Sequence, residues 1–278
     1  MRIDAHQHFW NYDAQTHAWI DDSMQVIRRS FGPGDLEPLL RAHDMDGCVA
    51  VQVQHSEAET QEFLQMAEAH PFIRGVVGWT DLSAPGIGER LAYWAQFPRL
   101  KGFRHLVQGE ADDRFLYRPA FREGIGLLER YNFTYDILIY PHQMPMATDF
   151  AAAFPHQRFV LDHLAKPYIK KGLIDEWKRD LRAMAALDNV WCKVSGLVTE
   201  AEWGKHHPAD FRPYIDAARE AFGTDRLLFG SDWPVCLLSA SYDEVLAIAE
   251  AAFGEVSPEE RAALFGGNAA RFYRLGPS

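Results

Sequence analysis

Eight short runs rich in β-branched and aromatic residues alternate along this chain with longer stretches whose apolar residues recur every three to four positions. No other feature constrains the fold as strongly, because an alternation repeated that often specifies parallel strands joined by crossover helices. The runs predict strands over Arg2–His8, Gly47–Val53, Ile73–Thr80, Leu100–His105, Thr134–Tyr140, Arg158–His163, Val190–Val194 and Arg226–Ser231. Between them the 3.6-residue period predicts helices over Gly34–His43, Glu57–Ala69, Gly86–Phe97, Pro119–Tyr131, Gln143–Phe154, Leu173–Ala186 and Pro208–Phe222. Two more close the chain, Tyr242–Ala252 and Ser257–Phe265, the second opened by the N-cap signature Ser257-Pro258-Glu259-Glu260. Eight β–α units in 278 residues are most simply an α/β fold of the (β/α)8 TIM-like barrel type, one domain over residues 1–278. The competing open, doubly wound sheet would call for a glycine-rich phosphate loop after the first strand. His6-Gln7-His8-Phe9-Trp10 stands there instead, and no GxGxxG occurs anywhere.

Charge and composition remove several classes of partner. A formal net charge of −11 disfavours nucleic acid and anionic membrane, both of which attract a basic face. Three scattered cysteines, Cys48, Cys192 and Cys236, have neither disulfide-framework nor zinc-ribbon spacing. No apolar stretch reaches the roughly 18–20 residues of a membrane span, and no apolar leader follows Met1. The expectation is a cytoplasmic enzyme acting on a small molecule. A homo-oligomer is compatible with the sequence but not readable from it.

In a barrel, chemistry gathers at the C-terminal ends of the strands. The first strand ends in His6-Gln7-His8, and residues two apart on a strand point to the same side, so both imidazoles can reach one ion or one substrate oxygen. The sixth ends in Asp162-His163-Leu164-Ala165-Lys166-Pro167 and the eighth in Gly230-Ser231-Asp232-Trp233-Pro234. Taken singly, each histidine is as readily a hydrogen-bonded structural residue, Asp162 can serve to orient a neighbour, and Asp232 can be a turn residue. Taken together, His6, His8, His163 and Asp232 converge from three strand ends. Asp232 suits general-base work, and His6, His8 and Asp232 suit one divalent cation. Other strand ends supply Gln52, Gln54, His55, Arg104, His105, Asp136, Tyr140, Lys193 and Ser195. Of these, Arg104, His105, Gln54 and Tyr140 are candidate substrate-binding residues. Trp10 and Trp233 join them as aromatic walls from the loops, of the kind that suit sugar-like ligands, although such rings serve equally as packing.

The same motifs carry a family resemblance. Ile3-Asp4-Ala5-His6-Gln7-His8-Phe9-Trp10, Gly102-Phe103-Arg104-His105, Leu161-Asp162-His163-Leu164-Ala165-Lys166-Pro167, Gly230-Ser231-Asp232-Trp233-Pro234 and Gly267-Asn268-Ala269-Ala270-Arg271-Phe272-Tyr273 resemble the amidohydrolase superfamily nearly end to end. Within it they resemble the amidohydrolase 2 group and its sugar-acid lactonase branch, which opens lactones such as L-fucono- and L-rhamnono-lactone. The resemblance implies hydrolysis of an L-fucono-lactone or related aldonolactone, in L-fucose degradation, with Asp232 activating water and His163, Arg104 or the His6/His8 pair facing the carbonyl oxygen. It also implies one divalent cation, zinc, held by His6, His8 and Asp232. Tyr140 stands where metal-dependent relatives place a histidine, and Arg104 or His105 where they place a bridging lysine or glutamate. That departure argues against a two-metal centre, and the resemblance to the lactonase branch implies catalysis that does not require a metal. The alternative is a metal-dependent decarboxylase of the same superfamily, acting on an aromatic or muconate-type acid.

Overall fold

A computed structural model describes residues 1–254 and 256–276. Eight strands form one parallel sheet in chain order: β1 Ile3–Gln7, β2 Gly47–Val51, β3 Ile73–Gly78, β4 Leu100–His105, β5 Thr134–Ile137, β6 Phe159–Leu161, β7 Val190–Val194 and β8 Leu227–Phe229. The crossovers carry α1 Pro33–Ala42, α2 Glu57–Ala69, α3 Ile87–Trp94, α4 Pro119–Leu128, α5 Met144–Ala152, α6 Asp175–Ala185 and α7 Pro208–Phe222. After β8 come α8 Tyr242–Phe253, α9 Pro258–Ala262 and α10 Asn268–Phe272. This is the expected (β/α)8 barrel.

The strands are buried on both faces, as a sheet wrapped in helices requires. Large side chains such as Phe63, Phe103, Phe121, Phe150 and Trp177 fill the layer between sheet and helices. Smaller residues of alternate positions, Ile3, Ala5, Val49, Val51, Val77, Val160 and Leu228, form a separate inner cluster with Phe272 and Tyr273. The chain end therefore plugs the barrel from below. Arg158 Nη1 donates to Phe272 O at 2.8 Å and Lys101 Nζ to Arg274 O at 3.3 Å, tying this segment under the starts of β6 and β4.

Closure between β1 and β8 uses few ladder bonds. Asp232 N donates to His6 O at 2.8 Å, and His8 N to Trp233 O at 2.7 Å. The buried Asp4 carboxylate adds a side-chain stitch. Its Oδ1 accepts from Ser231 N at 2.9 Å and His6 N at 3.1 Å, and its Oδ2 from Ser231 Oγ at 2.6 Å. Burial pushes this carboxyl up to about 6 against those hydrogen bonds. Asp4→Ala leaves two backbone amides without their acceptor and is expected to cost about 1–3 kcal/mol. Asp4→Asn keeps both amide bonds on its one oxygen and is expected to stay within about 1 kcal/mol. Urea unfolding of the two variants checks this, and equal losses would mean that the stitch is only packing.

Five strands stop at least two residues short of their predicted ends: β2 at Val51 rather than Val53, β3 at Gly78 rather than Thr80, β5 at Ile137 rather than Tyr140, β6 at Leu161 rather than His163, and β8 at Phe229 rather than Ser231. At the last two, the chain turns out of the sheet where the functional side chains begin. His163, Leu164, Ala165 and Lys166 all have φ between 52° and 56°, and Asp232 has φ 59°. Left-handed backbone is costly for L-residues and concentrates at functional sites. The predicted helix over Ser257–Phe265 begins with the expected cap, in which Ser257 Oγ accepts from Glu260 N at 3.2 Å and Glu260 Oε2 from Ser257 N at 2.9 Å. It ends early in a π turn over Ala263–Gly267 and resumes as α10, an element the periodicity did not predict. Gly266 explains the break. A Cβ there would lie 2.3 Å from Met1 O, so only glycine lets this turn pass beneath β1.

Candidate active site

The barrel mouth gathers His6, His8, His163 and Asp232, all buried. His6 Nε2 and His8 Nε2 lie 3.2 Å apart. Asp232 Oδ1 is 3.3 Å from His8 Nε2, 3.8 Å from His6 Nε2 and 3.9 Å from His163 Nε2. The four groups predicted to converge from three strand ends thus meet. Two glycines make room for them. A Cβ on Gly230 would sit 2.6 Å from His6 Cβ, and one on Gly196, at φ 62°, would sit 2.5 Å from His163 Nδ1.

Neighbours settle how the rings present themselves. His8 Nδ1 donates to Val51 O at 2.7 Å, which turns the lone pair of Nε2 toward Asp232. His163 Nδ1 pairs with Ser195 Oγ at 2.9 Å. Burial holds both His6 and His163 far below the ordinary histidine range, and nearby cations add to this, Lys193 at His6 foremost. Both rings are therefore neutral. Burial also pushes the Asp232 carboxyl up, but His163, His8 and Lys166 more than offset it and leave it below its ordinary value. An ionised carboxylate beside the neutral rings of His6 and His163 can take a proton or share a cation.

Beneath this layer lies a buried ionic network. Lys193 Nζ contacts Asp136 Oδ2 at 2.5 Å, Asp162 Oδ1 at 2.9 Å and His6 Nδ1 at 3.0 Å. Tyr273, from the chain end below, donates to Asp136 Oδ2 at 2.8 Å. Arg104 Nη1 donates to Asp162 Oδ2 at 3.0 Å and lies 3.2 Å from His6 Nε2; its Nε donates to Gln52 Oε1 at 3.0 Å, and its Nη2 to Gln52 O. Burial pushes Asp162 up, but Lys193, His6 and Arg104 outweigh it and hold this carboxyl far below its usual range. Burial leaves Asp136 raised to about 6 despite Lys193.

The candidate substrate-binding residues fare unevenly. Arg104 points into the site, but four of its N–H groups are already committed there. His105, one residue on, faces the other way. Its ring stacks on His55 at 3.9 Å and Phe115 at 4.4 Å, and its Nε2 pairs with Glu110 at 2.7 Å. Trp233 is 2 % exposed and packs edge-on against Phe9 and Phe31. It is a core residue rather than an aromatic wall, because the short closure between β1 and β8 draws it inward. Trp10 is likewise held by packing on Phe31 and by its Nε1 bond to Arg29 O at 2.8 Å. Its edge still borders a cavity of about 230 Å³ shared with Gln54 and His17, whose Nε2 atoms approach to 3.2 Å. Tyr140 stacks on His142, beyond the end of β5 rather than on the histidine cluster. Lys193, Asp136 and Asp162 carry more of the site than strand-end polarity suggested. For Lys193 and Asp136 the signal was a charge inside a strand, Val190-Trp191-Cys192-Lys193-Val194 above all.

Known proteins with this architecture are close. The L-fucono-1,5-lactonase of Burkholderia multivorans is 44% identical over 286 residues, covering 99% of this chain and 96% of its own. That of Burkholderia ambifaria is 38% identical over 281 residues, with the same coverage of each chain. A solved amidohydrolase from Burkholderia multivorans with bound zinc superposes with a TM-score of 0.96 at 43% identity, covering 99% of this chain and 100% of its own. The sequence model of the family described as Amidohydrolase matches residues 3–275. Fold and sequence agree over almost the whole length, and the chain belongs to the amidohydrolase family.

Proposed function

We propose that the protein is an enzyme, a sugar-acid lactonase that opens an aldonolactone of the L-fucono type to the free acid, working in the cytoplasm through one barrel domain. The supporting observation is Asp232, an ionised carboxylate held below its ordinary pKa at the mouth, 3.9 Å from a neutral His163. The two lactonase relatives point to the same substrate class. A lactone suits such a site, since its alkoxide leaving group departs more easily than an amine.

Asp232 takes a proton from water, and the resulting hydroxide attacks the lactone carbonyl carbon. With Ser195 donating to Nδ1, the Nε2–H of His163 faces the same space and donates to the carbonyl oxygen as negative charge develops there. Protonated Asp232 then returns its proton to the ring oxygen as the carbon–oxygen bond breaks. Water supplies every atom added, and the product leaves as a carboxylate plus one proton.

His6, His8 and Asp232 also fit a divalent cation. Their ligand atoms lie within 4.8 Å of one another, and the nitrogen–nitrogen–oxygen set with His8 oriented through Nδ1 matches zinc chemistry. When bound, such an ion supplies Lewis-acid polarisation of the carbonyl or acidifies a water.

A pH-indicator assay across aldonolactones, with and without chelator, tests the reading. Ring opening of six-carbon deoxy-sugar 1,5-lactones is expected, and it persists with chelator present. No turnover across the panel would remove the lactonase reading; CO2 release from an aromatic acid, abolished by chelator, would replace it with a decarboxylase. Asp232 also sets the pH profile. A base with a depressed pKa is active above that pKa and lost only below it. With chelator present, kcat/KM is expected to stay level from about pH 8 to about pH 5 and to fall only in the ordinary carboxylate range or lower. An acid limb near neutrality would assign the base to another group.

A further inference from the structure

Arg104 and a divalent ion compete for the same lone pair. Arg104 Nη1 lies 3.2 Å from His6 Nε2, the nitrogen that faces His8 Nε2 at 3.2 Å and Asp232 Oδ1 at 3.8 Å. A guanidinium has no acceptor, so the contact is an N–H donated into the Nε2 lone pair of His6; the ring's single proton then sits on Nδ1, which donates to Asp162 Oδ1 at 3.3 Å. Arg104 is 3 % exposed, stays charged at any working pH, and is anchored through Gln52 and Asp162. It can neither discharge nor swing far away. Across the ring, Lys193 Nζ sits 3.0 Å from His6 Nδ1 and 2.9 Å from Asp162 Oδ1. His6, Asp162 and His163 form a second cluster with ligand atoms within 4.8 Å of one another, and the Lys193 ammonium already touches two of its members. Each ring nitrogen of His6 therefore borders a side-chain cation.

We propose that Arg104 is a built-in competitor for the metal: it occupies the Nε2 lone pair of His6 and places a fixed positive charge beside the His6–His8–Asp232 site, so that this site binds a divalent cation weakly and singly. Lys193 stands where a second ion would have to go. The inference rests on reading His6, His8 and Asp232 as the cation site. Like charge opposes ion binding, and the loss of one ligand lone pair adds to that. Removing the guanidinium therefore tightens binding, whereas deleting a merely supporting residue weakens it.

The test is zinc affinity of the metal-free, full-length protein, measured by competition with a fluorescent zinc chelator and counted by native mass spectrometry. Arg104→Met and Arg104→Gln are expected to bind one zinc on the order of 10- to 100-fold more tightly than the parent protein. Unchanged or weaker affinity in variants that melt cooperatively would overturn the proposal. His8→Ala serves as the control. If it keeps full zinc affinity, the ion lies elsewhere and the reading of the site fails; if it loses zinc while the Arg104 variants gain nothing, only the competition fails. Should neither Arg104 variant fold, the parent protein labelled with 15N-arginine decides. Zinc is expected to shift the buried Arg104 guanidinium resonance, and a resonance unmoved at saturation would overturn the proposal.

Discussion

Asp232→Asn protein is expected to open an aldono-1,5-lactone roughly 10²- to 10⁴-fold more slowly than its parent, which is the contribution usual for a positioned general base. The loss should fall on kcat. Asn is isosteric, can turn its amide N–H toward the Nε2 lone pair of His8 and leaves the backbone bond from Asp232 N to His6 O in place. The left-handed φ of 59° at this position is one that asparagine tolerates as well as aspartate does. Melting temperature is therefore expected to change little. The effect combines two consequences of one substitution: the amide cannot take the proton from water, and it cannot return one to the departing ring oxygen. Steady-state kinetics alongside calorimetry separates this from a folding defect. Near-parental turnover in the Asn variant would remove Asp232 from the base role.

A second large effect is expected at Lys193, and it is one of stability. Lys193 is fully buried and its ammonium touches Asp136, Asp162 and His6. Lys193→Met preserves much of the volume but leaves two buried carboxylates with less compensation. Deleting one partner of a buried ion pair costs about 3–5 kcal/mol. For a chain of this size that corresponds to a fall in Tm on the order of 10 °C. The pH dependence identifies the cause. Asp136 already has its carboxyl raised to about 6 by burial, with Lys193 opposing the rise. Without Lys193 it rises further. Stability that depends on a protonated buried carboxyl is present at low pH and is lost as pH climbs through the folded pKa. Lys193→Met should therefore be milder at pH 5 than at pH 8. The double variant Asp136→Asn, Lys193→Met should recover part of the loss, with a coupling of at least about 1 kcal/mol. A pH-independent loss with no coupling would mean that the lysine stem acts by packing alone.

The ionic network also explains why the site is only partly visible in the sequence. His6-Gln7-His8 and Gly230-Ser231-Asp232-Trp233-Pro234 stand out because they end apolar runs, where a barrel exposes polar groups to its mouth. Lys193 and Asp136 lie within strands, and a charge in such a run does not say which partner it meets. The two are 57 residues apart in the chain and belong to β7 and β5, which are not adjacent in the sheet. Periodicity reports which face a residue takes, but not the distance across the barrel to the residue opposite.

The eight strand–helix units, their order and the convergence of His6, His8, His163 and Asp232 on one mouth could be read from residue order, because period and strand ends are local properties. The direction in which Arg104 and His105 point, the withdrawal of Trp233 into the core, the left-handed turn at 163–166 and the plug formed by α10 and Tyr273 could not. Each depends on which side chains meet after the barrel closes, and on how far the backbone bends to let them meet. The neutral state of His6 belongs to the same class. An imidazole between two buried cations, Lys193 and Arg104, is a fact about three strands packed together, and no stretch of sequence contains all three.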